Sequence, residues 1–200
     1  MRYKNLAALI LCVAGANLGG AAAAQQAGLQ GFSDSLGYEP SPAYPHGRAH
    51  PDAPEELEQF AFFIGEFDCI DRQRNNDGDW REFPAIWNAS YFLGGFGIQD
   101  KYYAQGFQTS NVRMFFPNEG VWKVSYFSAP TYASGEWVGK KQGDDIVLDR
   151  TFDRADGTSS VSRLTFYDIS DEGFEWKGES IRGDADPVAT WTSSCKRRGD

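Results

Sequence analysis

Residues 87–103, with the sequence WNASYFLGGFGIQDKYY, constrain the fold more than any other stretch of the chain. Apolar residues recur at every second position on each side of Gly94-Gly95, so that Trp87 and Tyr91 fall on one face. This alternation is typical of strands with one buried face. The two glycines can adopt the positive φ that a tight turn requires at little steric cost. The stretch therefore predicts a β-hairpin.

The same alternation recurs after residue 104 in short segments separated by turn sequences such as PNEG, QGDD and SDEG. No long helical pattern lies between these segments, which favours a meander of neighbouring antiparallel strands. Closure of such a sheet removes its edge strands. The prediction is an all-β fold, a closed antiparallel up-and-down barrel of roughly 8–10 strands.

A short helix is predicted before the first strand, in the sequence EELEQFAFF. Leu57, Phe60, Ala61 and Ile64 follow the i, i+3, i+4, i+7 spacing of an amphipathic helix, with acidic residues in its first turn. We expect this helix to plug one end of the barrel.

The first residues have the pattern of an export signal. Arg2 and Lys4 precede an apolar run that ends at three alanines, residues 22–24, which predicts a cleaved bacterial secretory signal over residues 1–24. Residues 25–54 hold five of the nine prolines and few branched apolar residues, which predicts a flexible linker. The barrel domain then spans residues 55–198, and the protein is expected to be periplasmic or secreted.

The charge and composition restrict the partners. The net charge of −9 disfavours nucleic acid and anionic lipid. No later segment approaches the roughly 20 apolar residues of a membrane span, so no transmembrane segment is predicted. Aromatic residues make up 15% of the chain, and rings at strand spacing build either a core or the wall of a ligand cavity.

Cys69 and Cys195 lie on the predicted first and last strands, which are neighbours in an up-and-down barrel. In an exported protein they are expected to form a disulfide that closes the seam between these strands. The alternative is a pair of buried thiols.

The residues available for chemistry exclude several kinds of site. His46 and His50 are the only histidines and both lie in the predicted linker, so the barrel offers no imidazole for a Ser-His-Asp, Cys-His or His-based zinc site. Met114 is the only methionine after the predicted signal, which disfavours haem ligation. No metal or cofactor is predicted, and no catalytic residue is identified.

Lumen residues are predicted by taking the more apolar face of each strand as the inward one. Arg163 would then lie among rings in a low-dielectric cavity, where it needs a carboxylate or an anionic ligand group. An internal ion pair or an outward orientation is the alternative for Arg163, and Arg113, which shares a face with Asn111 and Phe115, is ambiguous. The predicted ligand-binding residues are Trp87, Tyr91, Trp122, Tyr126, Arg163, Tyr167 and Trp176.

The sequence FFIGEF at residues 62–67 resembles the strand opening of the lipocalin and calycin superfamily, whose signature is Gly-x-Trp after a short helix; here Phe67 replaces the Trp. Together with YFLGGF, NVRMFFPNEGVW, DGTSSVSRLTFYDIS and FEWKGES, residues 55–198 resemble a bacterial lipocalin-like family without an assigned function. The resemblance implies the barrel fold and a small-ligand cavity. It also implies that a late arginine, Arg197 or Arg198, covers Phe67 as a cation–π contact.

Three functions are consistent with these observations. The leading hypothesis is an exported barrel that binds a small, mainly apolar or aromatic ligand, oriented by Arg163 or a tyrosine hydroxyl. The second is an enzyme that uses Tyr91, Tyr126 or a buried carboxylate for acid–base isomerisation or hydrolysis in the same cavity. The third is a structural envelope protein whose barrel is filled by its own side chains.

Overall fold

The computed structural model describes residue 34 and residues 36–153 and 157–199, so the predicted signal at residues 1–24 lies outside the described residues. Within them, ten antiparallel strands follow one another around a closed barrel, and β1 pairs with β10. The predicted up-and-down barrel is confirmed. The strands are β1 Gly65–Arg74, β2 Trp80–Phe92, β3 Gly97–Ala104, β4 Phe107–Phe116, β5 Val121–Ala129, β6 Ser134–Gln142, β7 Asp145–Asp153, β8 Ser159–Ser170, β9 Gly173–Arg182 and β10 Val188–Arg197.

The predicted hairpin is formed by β2 and β3, which pair in antiparallel register from Phe92 and Gly97 outward. Gly94 and Gly95 lie in the connection with φ of 65° and 85°. These values belong to the left-handed region that glycine adopts without strain. The hinge inferred from the glycine pair is therefore confirmed.

The helix before β1 is present over Glu55–Phe63, but it is a 3₁₀ helix. Its buried residues are Leu57, Phe60 and Phe63, a spacing of three that matches three residues per turn. Ala61 and Ile64, which α-helical spacing would place on the buried face, are only half-buried. None of the helices in the described residues combines the length and the apolar character needed to cross a membrane.

Aromatic rings fill the end of the barrel that this helix covers. The ring of Phe60 lies 4.8 Å from Trp122 and 5.5 Å from Phe166, both edge-on. Phe63 lies 5.0 Å from Trp87 and 5.4 Å from Phe174. Edge-to-face pairs at these separations are favourable arrangements of aromatic quadrupoles. The helix thus plugs one end of the barrel, as expected.

Arg197 closes the same end from the last strand. Its guanidinium carbon lies 4.7 Å from the centre of the Phe67 ring, which is the cation–π contact implied by the lipocalin resemblance. The guanidinium also donates hydrogen bonds to the backbone oxygens of Phe62 and Ile64, at 2.7 and 2.6 Å. Arg198 instead forms ion pairs on the outer surface. Of the two candidate arginines, Arg197 therefore covers the ring and ties β10 to the helix.

The seam between β1 and β10 carries the disulfide. Cys69 and Cys195 are directly opposite each other in the strand register and are joined across a sequence separation of 126 residues. Both residues are buried. The predicted pairing is confirmed, and it links the two ends of the barrel sheet.

Part of the segment predicted to be a flexible linker contacts the barrel. The backbone N–H of Tyr91 donates to the oxygen of His46, and that of His50 donates to the oxygen of Gly95. The His50 ring stacks on Phe96 with centroids 4.4 Å apart. Gly95 permits this approach, since a Cβ there would lie 2.6 Å from the backbone of residues 48 and 50. Residues 46–50 of the predicted linker therefore contact β2 and the β2–β3 turn.

We expect Cys195→Ser to lower the melting temperature of the oxidised protein, because the disulfide restricts the unfolded chain across a long loop. The chain-entropy account assigns up to about 4.7 kcal/mol to a loop of this order. Wild type and variant should be compared by thermal denaturation with and without reductant. The difference should vanish in reductant, and equal melting under oxidising conditions would contradict the stabilising role of the bond.

Candidate functional site

The barrel contains a cavity of about 300 Å³ on the side of the core away from the 3₁₀ helix. Its wall is mostly apolar and aromatic, with a few polar side chains, and it includes Ala133 from the β5–β6 connection. The lining side chains include those of Asp71, Trp87, Tyr102, Asn111, Arg113, Tyr126, Trp137, Ser162, Phe166, Trp176 and Trp191. An apolar cavity with a small number of convergent polar groups is typical of a ligand site.

Trp87, Tyr126 and Trp176, three of the predicted ligand-binding residues, line this cavity. They come from β2, β5 and β9, so the structure brings together residues that are far apart in sequence. Whether they contact a ligand remains a prediction.

Trp122 and Tyr91 lie outside the cavity wall, toward the plugged end. Trp122 is fully buried and donates its indole N–H to Gln59 Oε1 of the 3₁₀ helix at 3.0 Å. Tyr91 is half-buried against the core, and burial raises the pKa of its hydroxyl. Both residues face inward as the alternation predicts, but the helix and its aromatic rings separate them from the open half of the barrel.

Arg163 and Tyr167 do not line the lumen, so the inward orientation predicted for their face of β8 is wrong, and Arg163 adopts the alternative outward orientation. The inward residues of this strand are Ser162, Leu164 and Phe166. Arg163 forms two hydrogen bonds of 2.8 Å with Asp149 of β7, and its side chain is 36% exposed. The hydrogen bond with Asp149 raises the pKa of Arg163.

The physical reason for this correction lies in the neighbouring strands. The two faces of β8 are nearly equal in apolar content, so the more apolar face does not identify the inward one. The strand register places Arg163 between Asp149 on β7 and Glu179 on β9. Acidic residues on both sides stabilise the arginine on the outer face, where water also solvates it.

The buried cation of the barrel wall is Arg113, whose orientation the sequence left ambiguous. Its Nη2 lies 2.8 Å from Asp100 Oδ1, and the two side chains are 3% and 0% exposed. The guanidinium also lies over the rings of Phe60, Phe63 and Phe166, at 5.1, 4.7 and 5.4 Å from their centres. Burial lowers the pKa of Arg113, and the adjacent Asp100 opposes this shift. The ion pair and the rings replace the lost hydration of the guanidinium.

Asp100 also fixes two further side chains of the cavity wall. Its Oδ2 accepts hydrogen bonds from the indole N–H of Trp87, at 2.7 Å, and from the Asn111 amide, at 2.6 Å. One carboxylate therefore holds Trp87, Asn111 and Arg113 in position.

A second buried carboxyl, that of Asp71, lies on the cavity wall, and the side chains that donate hydrogen bonds to it are uncharged. It is 1% exposed and accepts hydrogen bonds of 2.6 Å from the Tyr102 hydroxyl, the Trp191 indole and the Ser193 hydroxyl. Burial raises the pKa of Asp71 above its ordinary value, although these hydrogen bonds act in the opposite direction. Burial and the neighbouring Asp71 also raise the pKa of Tyr102.

Arg150 of β7 lies against the wall near Tyr126 and Trp137. Its guanidinium carbon is 5.3 and 5.7 Å from the centres of these two rings. Its Nη1 donates to the Tyr126 hydroxyl at 2.8 Å, and its Nη2 donates to the backbone oxygen of Ser134 at 3.1 Å. These contacts hold Tyr126 in place.

Asp71 and Asp100 are not among the residues predicted for the site, although the sequence carries a signal for both. Asp71 follows Phe67 and Cys69 at a period of two, and Asp100 lies between Ile98 and Tyr102 on the same alternation. A carboxylate on an otherwise apolar inward face is costly unless it is paired or hydrogen-bonded. Such a residue therefore indicates a buried polar network.

We expect Asp100→Asn to lower the free energy of unfolding by about 3–5 kcal/mol, because it leaves the buried guanidinium of Arg113 without its counter-charge. Asp149→Asn is the matched control, since it removes the carboxylate of the exposed pair with Arg163 and should cost at most about 1 kcal/mol. Urea denaturation measures both. Equal losses in the two variants would contradict the assignment of Arg113–Asp100 as the structural ion pair.

We expect the stability difference between Asp71→Asn and wild type to depend on pH. Burial raises the pKa of Asp71 in the folded state. At pH values between the ordinary pKa of Asp in the unfolded chain and this raised pKa, the native protein therefore binds more protons than the unfolded chain. The wild type therefore loses stability relative to the variant as pH rises through this window, starting from about pH 4. Urea titrations at a series of pH values measure the difference, and a pH-independent difference would contradict the raised pKa.

Comparisons with known proteins identify the fold. No family model and no curated protein matches the sequence. Among solved structures, Rv2717c from M. tuberculosis superposes with a TM-score of 0.51 and 13% identity, covering 74% of this chain and 100% of that one. The phycobiliprotein lyase CPES from Guillardia theta gives a TM-score of 0.44 and 14% identity, over 72% and 92% of the two chains. At these identities the similarity to Rv2717c concerns the fold alone, and it agrees with the closed antiparallel β-barrel seen here.

Proposed function

We propose that this protein binds a small, mainly apolar or aromatic molecule in the cavity of its barrel. The observation that carries the proposal is the cavity of about 300 Å³, lined by rings, in a barrel whose other end is filled by the 3₁₀ helix and its aromatic cluster. A barrel with a purely structural role could be packed by its own side chains throughout. The cavity favours ligand binding over that alternative.

The size of the cavity limits the ligand. Its volume of about 300 Å³ is at the lower end of the range for small-molecule sites. It is about twice the ~150 Å³ of an engineered apolar cavity that holds benzene. A ligand with one or two rings fits this space, with Trp87, Trp176 and Phe166 as its apolar contacts.

We further propose that the protein acts in an exported compartment and belongs to a bacterial branch of the lipocalin-like barrels. The disulfide between Cys69 and Cys195 supports export, because such bonds persist in oxidising compartments. The basic and apolar pattern of residues 1–24 supports it as well.

Acid–base catalysis in the same cavity is a second candidate function, and Asp71 is the observation that favours it. This carboxyl lies on the cavity wall, is buried, and has a raised pKa, which are properties of catalytic acids and bases. Conversion of a bound molecule by wild type but not by Asp71→Asn would establish this activity. Binding without conversion in both proteins would leave binding as the function.

Native mass spectrometry of protein purified from its exported compartment tests the leading proposal. We expect an additional mass that corresponds to a molecule with one or two rings. Organic extraction would release this molecule for identification. A clean mass of the protein alone, together with no gain in melting temperature across a panel of small aromatic molecules, would contradict ligand binding.

We expect Ser162→Phe to weaken the binding of indane by at least about tenfold, because the added ring occupies cavity volume and overpacking is costly. Val161→Phe is the matched control, since Val161 lies on the outer face of the same strand and its substitution leaves the cavity unchanged. Calorimetric titration measures both affinities. Equal loss of affinity in the two variants would contradict binding inside the barrel.

A further inference from the structure

We infer that the ligand of this cavity carries an uncharged hydroxyl group on its ring, and that Asn111 and Thr109 of β4 select for this hydroxyl. The inference rests on the proposed function and specifies the chemical class of its ligand. In the complex, Asn111 accepts the hydrogen of the ligand hydroxyl, and Thr109 donates to its oxygen.

The orientation of the Asn111 amide is fixed by a buried carboxylate. Asn111 Nδ2 donates to Asp100 Oδ2 at 2.6 Å, and Asp100 is fully buried in its ion pair with Arg113. A carboxylate in an ion pair only accepts hydrogen bonds, so the amide nitrogen faces Asp100 and the amide oxygen faces away from it. Asn111 therefore brings an oxygen, in a fixed orientation, to the cavity that it lines.

This oxygen is open to a ligand. Asn111 Oδ1 receives no hydrogen bond from the part of the chain that the structure describes, and it is not one of the polar atoms that are both buried and unpaired. It therefore keeps surface toward the cavity. An amide oxygen can accept two hydrogen bonds, and a ligand donor can supply one of them.

Thr109 provides a second polar group beside Asn111. It lies two residues earlier on β4, so both side chains point to the same face of the strand, and both line the cavity. Its hydroxyl forms no hydrogen bond with the described residues and is not one of the buried unpaired atoms. A threonine hydroxyl can donate one hydrogen bond, which complements the oxygen of a ligand hydroxyl.

The wall opposite these two residues is aromatic. β4 and β9 lie five strands apart in the closed ten-strand order, which places them on opposite sides of the barrel. Trp176 and Gly178 of β9 and Trp191 of β10 line the cavity there, and the two indole rings are 5.7 Å apart. A Cβ at Gly178 would lie 3.3 Å from the Trp176 ring, so the glycine leaves room for the rings. The cavity fits a ring molecule that has one polar edge.

The surroundings of Asn111 favour a hydroxyl over a charged group. A carboxylate has no hydrogen to donate to Asn111 Oδ1. An ammonium group would lose its hydration in a mostly apolar cavity and would approach Arg113, which follows Asn111 by two residues on the same face of β4. A hydroxyl group donates one hydrogen bond without carrying a charge.

Water in the ligand-free protein can bind to the same polar groups. A purely apolar ligand that displaces this water leaves the oxygen of Asn111 unpaired, whereas a ligand hydroxyl reproduces the lost hydrogen bonds. The β4 side of the wall therefore discriminates between ligands of equal shape by the presence of a donor.

Three probes with the same ring skeleton test this inference by calorimetric titration: indane, fluoroindane and hydroxyindane, the last two substituted at the same carbon of the aromatic ring. Fluorine adds a small polar substituent that cannot donate, and a phenolic hydroxyl is uncharged at neutral pH. We expect hydroxyindane to bind about tenfold more tightly than the other two probes, as one or two hydrogen bonds in a buried site would produce.

The variants Asn111→Leu and Thr109→Val remove one polar partner each and nearly preserve the volume of the side chain. Each should reduce the preference for hydroxyindane over fluoroindane to about threefold or less, mainly by weakening hydroxyindane. Asn88→Leu is the matched control. The Asn88 amide also donates to a carboxylate, that of Glu66 at 3.0 Å, but it lies on the face of β2 opposite to Trp87 and outside the cavity wall, so the preference should persist.

The failures of the proposed function and of this inference are distinguishable. If none of the three probes binds wild type, both fail. If indane binds and hydroxyindane binds no more tightly than fluoroindane, ligand binding stands and the selection for a hydroxyl is overturned. If the preference survives in Asn111→Leu and Thr109→Val alike, the assignment to β4 is wrong. Melting curves verify that each variant is folded, and Thr109→Val carries the variant test if Asn111→Leu does not fold.

Discussion

The buried ion pair between Arg113 and Asp100 is the interaction on which the rest of this barrel depends. The guanidinium contacts the rings of Phe60 and Phe63 from the 3₁₀ helix, and the carboxylate holds Trp87 on the cavity wall. One pair of charges thus connects the helix that plugs the barrel to the wall of the cavity. Its cost in desolvation is offset by the ion pair, the cation–π contacts and the hydrogen bonds that surround it. Loss of either partner would leave a charge in the core and disturb both ends of the barrel.

The barrel is divided into two regions with different roles. The helix, Phe67 and Arg197 close one end through ring packing and hydrogen bonds to the helix backbone. The packing of this end stabilises the sheet. The disulfide between β1 and β10 prevents the first and last strands from separating. The other region can then retain an unfilled cavity, because its stability is supplied elsewhere. Such a division of stability and function is common in folds that carry a site on a rigid scaffold.

Strand orientation shows where prediction from the sequence succeeds and where it does not. Trp87, Tyr126 and Trp176 lie on the cavity wall, on strands that have one clearly apolar face. On β8 the two faces are nearly balanced, and the neighbouring Asp149 and Glu179 determine that Arg163 points outward. Cross-strand partners depend on register, which a single strand's composition does not contain. The burial of Arg113 beside Asp100 also follows from register and packing.

The sequence by itself determined the strand pattern, the glycine hinge at residues 94–95, the closed barrel and the pairing of Cys69 with Cys195. These features depend on local periodicity, on turn residues and on the neighbourhood of first and last strands in a meander. The tertiary structure alone decided that the helix is 3₁₀, that Arg113 rather than Arg163 is the buried cation, and that a cavity remains beside it. Those outcomes depend on which side chains meet across strands and how completely they fill the interior, and such contacts exist only after the barrel has closed.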